Sequence, residues 1–525
     1  MIAERFHRLV AIVRADFLIR LRRPSTIVVF LLLSAIPYLW IPDPSTGRAL
    51  MMIGGKRALY NSATIGMATA ALGAMFIGLA GFYVISNALR RDVVSRCGYV
   101  IASTTMRGSE YIAGKFAGNV VFLSVFMAGF MATAMVMVIV RGEAPLQPWI
   151  FAKQYLMLAP PSIAFVSAIA IVFESTPLLR TKFGDVLYFF LWIGLMGSVT
   201  AMLEQNVGTN WAPFFDVSGF GVLLKQMQTF YGTKSLSIGA STFDAAKGTV
   251  DFAGLHATWY WVATRVTATL WPMALLVLAR VFFHRFDPAR VRAVPNEKAR
   301  RSWMGRLNLI SKPIARLFVR VLSPFSRNAA VTDALTTIAA FPLVAVAMIV
   351  FAIAAASADN AKDLFTGVLP VAFAACAIAI ADIASREKRA GTTALVFAAP
   401  GLRARFVLWK FASTLLVALA FLAVPLASAV LSRPHKTVAL LVGVAFTAAA
   451  STALGIVSSN PKTFIVAFLT FWYITTQDKG LSPGLDFAGW FGTATPAVIA
   501  TYALLGVASL AVAQLFHANE LRRKW

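Results

Sequence analysis

Apolar runs close to the length of a bilayer crossing recur along this chain, separated by loops in some of which Lys and Arg concentrate. A helix rises about 1.5 Å per residue, so roughly 20 consecutive apolar residues span the hydrocarbon layer. In lipid every backbone amide and carbonyl must be satisfied within the chain, which leaves helices as the building block for such runs. The pattern therefore predicts an all-α polytopic membrane protein. Composition agrees, with 59% apolar residues. The formal charge of +26 could point to nucleic acid. Its Lys and Arg, however, concentrate in particular loops, as cytoplasmic loops require, so lipid and not nucleic acid is the expected partner.

Counting gives twelve predicted spans, near 25–40, 63–89, 113–140, 154–173, 185–196, one opening at Trp259, 332–356, 365–383, 409–431, 437–457, 463–476 and 496–516. The basic loops at 89–112, 284–330 and 385–408 then fall on one face, with both termini on that side. The predicted organisation is an interfacial amphipathic helix over 1–24, a first six-helix half over 25–284, a basic linker over 285–330 and a second six-helix half over 331–525. In the first segment Phe6, Leu9, Val10, Val13, Phe17 and Leu21 recur at helical spacing among His7, Arg8, Arg14, Arg20 and Arg22, as in a helix lying in the headgroup plane. In the linker Ile314, Leu317, Phe318, Val321 and Leu322 predict a second one. The polar, Gly-rich stretch 204–256 is the largest extracytoplasmic piece, and the fourth span should be kinked at Pro160 and Pro161.

The two halves repeat. Displaced by about 295 residues, Arg90–Lys115 lies without a gap on Ser385–Lys410, setting Arg91 on Arg386, Asp92 on Glu387, Lys115 on Lys410 and Phe116 on Phe411. A displacement of about 280 brings Lys182 to Lys462 and Trp192 to Trp472. In the second copy an acid, Gly-Thr, an apolar run, proline, a basic residue and a helix-opening lysine follow in order. This resembles the cytoplasmic loop of ABC-2 type transporter permeases, matched here by Glu387, Gly391, Thr392, Pro400, Arg403 and Lys410. The first copy keeps Asp92 and Lys115 but has Arg96 and Cys97 in place of Gly-Thr and Thr105 in place of the proline.

The resemblance implies a membrane-spanning permease subunit of an ATP-binding cassette exporter, two permease units fused in tandem, in the bacterial inner membrane. It implies a short coupling helix in each loop, docking on two separate ATP-binding subunits that carry ATP and magnesium. An elbow helix before the first span fits the same plan, and so would a plain topology anchor. The resemblance also implies that the second and fifth helices of each half line the route, which makes Tyr188, Phe189, Trp192, Phe468 and Trp472 pathway candidates. Packing is the other reading of those aromatics. Arg265, one turn below the Trp259–Trp261 belt, either snorkels outward or binds an anion. Few charges among these residues suit an amphipathic or apolar cargo.

No motor is encoded here. The nearest approach to a phosphate-binding loop, Gly108–Phe116, has one residue too many between its glycines and Phe116 where a magnesium-binding hydroxyl belongs. Two cysteines, Cys97 and Cys376, and five scattered histidines predict neither a disulfide frame nor a metal site. A secondary transporter of the major facilitator kind is the alternative, also with six plus six helices. Its Gly, Asp-Arg, Gly-Arg pattern is missing from NALRRDVVSRCG.

Overall fold

A computed structural model describes residues 2–22, 24–176, 179–180, 182–204, 212–233, 235–283, 286, 320, 328–340, 342–399 and 401–524. Two compact units form, Met1–Ala293 and Val294–Trp525. The predicted second surface helix at 314–322 falls almost wholly outside the described residues.

In the first unit, α1 (Ile2–Leu21) and α2 (Pro24–Trp40) are separated at Pro24, which cannot donate to a preceding carbonyl and so opens a new helix. Next come α3 (Ser62–Phe76), continued by a π-turn at Ile77–Gly81, then the short α4 (Ala88–Val94) and α5 (Cys97–Ser103). The long α6 (Gly108–Arg141) and α7 (Pro148–Ser175) follow, then α8 (Lys182–Glu204), α9 (Phe220–Tyr231), α10 (Trp259–Leu270) and α11 (Leu275–Phe282). Glycines on α6 set its packing. A Cβ at Gly114 would lie 2.9 Å from Ile12 of α1, and one at Gly129 would lie 2.7 Å from Phe30 and Ser34 of α2. Small residues thus bring both N-terminal helices against α6. Small residues also make a seam along α3 and its π-turn: Gly66 abuts Phe151 of α7, and Gly78 abuts Trp192 of α8.

The second unit contains α12 (Ala329–Ala340), α13 (Pro342–Ala356) and α14 (Leu369–Ile380). These lead to the short α15 (Arg386–Ala390) and α16 (Thr393–Phe397), then α17 (Phe406–Phe421), α18 (Ala423–Ser432), α19 (Thr437–Ser458), α20 (Pro461–Asp478) and α21 (Pro496–Lys524).

Apart from short turns, the predicted spans fall on helix where the structure describes them, but not every helix is a simple crossing. Seven helices among the described residues are long and apolar enough to cross a membrane, or up to nine if each of two bent pairs counts once. The predicted span 332–356 bends by 88° between α12 and α13, where Pro342 restricts the residue before it and starts a new helix. The span 409–431 bends by 65° between α17 and α18. Pro425 there removes the amide that would bond to Phe421. Conversely, α7 runs unbroken through Pro160 and Pro161. The apolar parts of α2 and α8 are shorter, at Val29–Trp40 and Gly184–Met196.

The all-α expectation needs one amendment. Strands β1 (Arg48–Ile53), β2 (Lys56–Ala58), β3 (Leu236–Thr242) and β4 (Thr249–Val250) form a sheet of order β3-β1-β2-β4. Gly54 and Gly55, both at positive φ, turn β1 into β2. β3 pairs antiparallel with β1, and β4 parallel with β2. Arg57 pins the sheet to the end of α6 through a two-pronged bond to Glu143, 2.7 Å on each arm. That contact holds the Glu143 carboxyl below the ordinary carboxylate value.

Candidate functional site at the charged hairpins

Each unit turns its charged loop over a buried lysine. In the first, the Lys115 ammonium on α6 donates to Asp16 of α1 at 3.0 Å and lies 2.8 Å from Asp92 of α4. Arg91 also pairs with Asp16, and Tyr111 donates to Asp92 at 2.6 Å. In the second, Lys410 on α17, with a fully buried side chain, lies 2.9 Å from Asp333 of α12 and 2.5 Å from Glu387 of α15. Arg386 reaches Asp333 at 3.3 Å. The plan is the same in both: a lysine ties the carboxylate of an earlier helix, α1 or α12, to the carboxylate at the root of the hairpin, and the neighbouring arginine pairs with that helix. Three elements are locked at one point in each unit.

The first cluster carries an extra cation. Arg20, one turn past Asp16, lies 2.6 Å from Asp16 and donates to Asn119 at 2.6 Å. At these places the second unit has Thr337, which accepts from Arg386 at 2.7 Å, and Thr414, bonded to its own helix. Burial alone would raise the Asp16 carboxyl. Arg20, Lys115 and Arg91 outweigh that effect and hold it below its ordinary value. Arg20 therefore does not join the headgroup-facing rim expected of α1; it is buried against α6.

Above the clusters both hairpins reverse at the same register. Gly391 caps α15 with φ 71°, and Arg96, its counterpart under the 295-residue displacement, opens α5 with φ 61°. The Gly391 and Thr392 amides both return to the Glu387 carbonyl, completing a left-handed helix cap. A side chain in that conformation costs about 1–2 kcal/mol, yet the first copy keeps the bend with arginine. Each short helix then presents an apolar residue to the outside, also at matched register: Val100 is 68% exposed and Leu395 77%. Each hairpin leans on the last helix of its own unit. Phe283 stacks on Tyr111 and Phe286 meets it edge-on, whereas His517 of α21 stacks on Phe406 and its ring meets the Arg403 carbonyl at 3.0 Å.

The loop residues expected to engage a partner divide accordingly. Asp92 and Glu387 are buried beneath the hairpins, while Gly391 and Thr392 shape the bend. Arg403 is exposed, and Pro400 lies outside the described residues. Asp16 and Asp333 were not foreseen. The available signal was a lone acid in the second half of a basic helix and the single charge of α12.

The aromatic candidates are not gathered with this site. Tyr188 is buried in its own unit, stacked 3.9 Å from Phe82 and bonded to the Gly78 carbonyl. Phe189 and Trp192 are also buried. In the second unit Trp472 donates to the Pro370 carbonyl at 2.8 Å, and Phe468 packs edge-on against Phe487. Arg265 does not snorkel outward: it is buried, donating to the carbonyls of Asp216 and Pro213 at 2.9 and 2.7 Å. There it clamps the turn whose Asp216 carboxylate caps α9.

No family model, curated protein or solved structure matches this chain.

Proposed function

We propose that this chain is the membrane-spanning permease subunit of an ATP-binding cassette exporter, with twelve crossings in two six-helix halves and both termini cytoplasmic in a bacterial inner membrane. The helices α5 and α16 are the docking points for two separate ATP-binding subunits, which supply ATP and magnesium. The buried lysine clusters pass movement of each hairpin to α1 or α12 and to the third predicted span of its half, because the three elements share one set of ion pairs. The cargo is amphipathic or apolar. One observation supports the reading above others: two hairpins of different sequence keep the same bend, the same exposed apolar position and the same buried lysine, as two sockets for like partners would.

The test is ATPase activity of the reconstituted complex with an ATP-binding subunit that copurifies with this chain. Val100→Asp and Leu395→Asp should each reduce stimulation of hydrolysis and together abolish complex formation. Transport that runs on an ion gradient without any ATPase would support the major-facilitator alternative instead.

A further inference from the structure

At the start of α6 the first unit has a cavity of about 400 Å³ lined by Arg107, Gly108, Ser109, Arg280 and Phe283. Its two guanidiniums come from different elements, Arg107 preceding α6 and Arg280 in the last turn of α11. Neither has a hydrogen-bonded or ionic side-chain partner among the described residues. The nearby carboxylate is already engaged, since Glu110 accepts from the Arg107 amide at 3.1 Å and pairs with Arg5 at 3.3 Å. Two cations without an ionic partner among the described residues, facing one cavity with the Ser109 hydroxyl beside them, favour an anion with several acceptor oxygens.

The surface leading to the cavity identifies what carries that anion. Along α11, Val277, Leu278, Val281 and Phe282 are all exposed, an apolar strip on a helix long enough with α10 to cross a membrane. A soluble phosphate would gain nothing from that strip, whereas a phospholipid would lay an acyl chain along it and leave its headgroup at the arginines. We propose that this cavity binds the phosphodiester headgroup of an anionic glycerophospholipid, with a chain against the outer face of α11. Basic pockets at helix ends are suited to such headgroups. The second copy has Leu402 in the register of Arg107. The site does not depend on an ATP-driven partner and can be tested without one.

Lipid retention by the full chain in detergent, read by native mass spectrometry, compares phosphatidylglycerol with phosphatidylcholine of the same chains. The wild type should prefer phosphatidylglycerol, and Arg107→Gln with Arg280→Gln should weaken that binding by about thirtyfold while leaving phosphatidylcholine unchanged. Raising the salt from low to high should weaken wild-type binding of phosphatidylglycerol, a readout that needs no variant to fold. Equal binding of the two lipids, a double variant that binds as wild type, or salt-independent binding would overturn the proposal. Displacement of phosphatidylglycerol by inorganic phosphate at equal concentration would overturn the lipid assignment in favour of a soluble anion.

Discussion

The two hairpin roots solve one problem with different margins. Around Lys115, Asp16 is shared by Arg20, Arg91 and Lys115, and Asp92 keeps the Tyr111 hydroxyl. Around Lys410 there is no counterpart to Arg20, and Phe406 stands in the register of Tyr111, so Lys410 is the only partner of the Glu387 carboxylate among the described residues. The first site is redundant and the second is minimal. At the bends the order reverses: the second hairpin uses glycine where left-handed backbone is needed, and the first retains a strained arginine. What stays constant is the geometry, a cation between two acids below a reversal with an exposed apolar tip.

This contrast ranks the expected effects. Lys410→Met should be the most damaging change, leaving Glu387 buried and unpaired at a cost of about 3–5 kcal/mol, read as loss of thermal stability in detergent. Lys115→Met should cost less, about 1–3 kcal/mol, because Arg20, Arg91 and Tyr111 remain. Equal losses would break the comparison. Adding Glu387→Gln to Lys410→Met should recover part of the loss, since the stranded charge is then gone. Arg20→Thr should cost about 1–2 kcal/mol by leaving Asn119 and Asp16 short of a partner. Combining it with Asn119→Thr, which copies the second unit, should restore most of that.

Smaller effects sharpen the same contrast. Arg96→Gly should stabilise the first hairpin by about 1 kcal/mol, and Gly391→Ala should destabilise the second by a similar amount. Acid should act on the first cluster. The Asp16 carboxyl is held below its ordinary value, so its stabilisation is complete above the unfolded value and is lost as pH falls through the lower folded value. Asp16→Asn should remove that acid-dependent component from the melting profile, and a profile unchanged by the substitution would contradict the pairing.

The sequence made the helices legible because apolar runs and basic loops are local signals, and Lys115 and Lys410 could be aligned because the duplication preserved their spacing. The partners of those lysines were not legible. Asp16 and Asp333 lie far from them along the chain, and Gly114 lets α1 approach α6 closely enough for Asp16 to reach Lys115. The sheet was hidden for the same reason: the paired residues of β1 and β3, such as Ile53 and Leu236, are far apart along the chain, and neither strand is long or strongly patterned. Bends at Pro342 and Pro425 were written in the sequence, but helix content alone did not distinguish them from Pro160 and Pro161, which α7 absorbs.

The native thiol of Cys97 is exposed on α5, and Cys376 is buried, so a membrane-impermeant maleimide reads one hairpin without any mutation and Leu395→Cys reads the other. Both positions should label from the cytoplasmic face in inverted vesicles and become shielded when the ATP-binding subunit is added. Labelling from the outside of intact cells, or labelling indifferent to that subunit, would contradict the account.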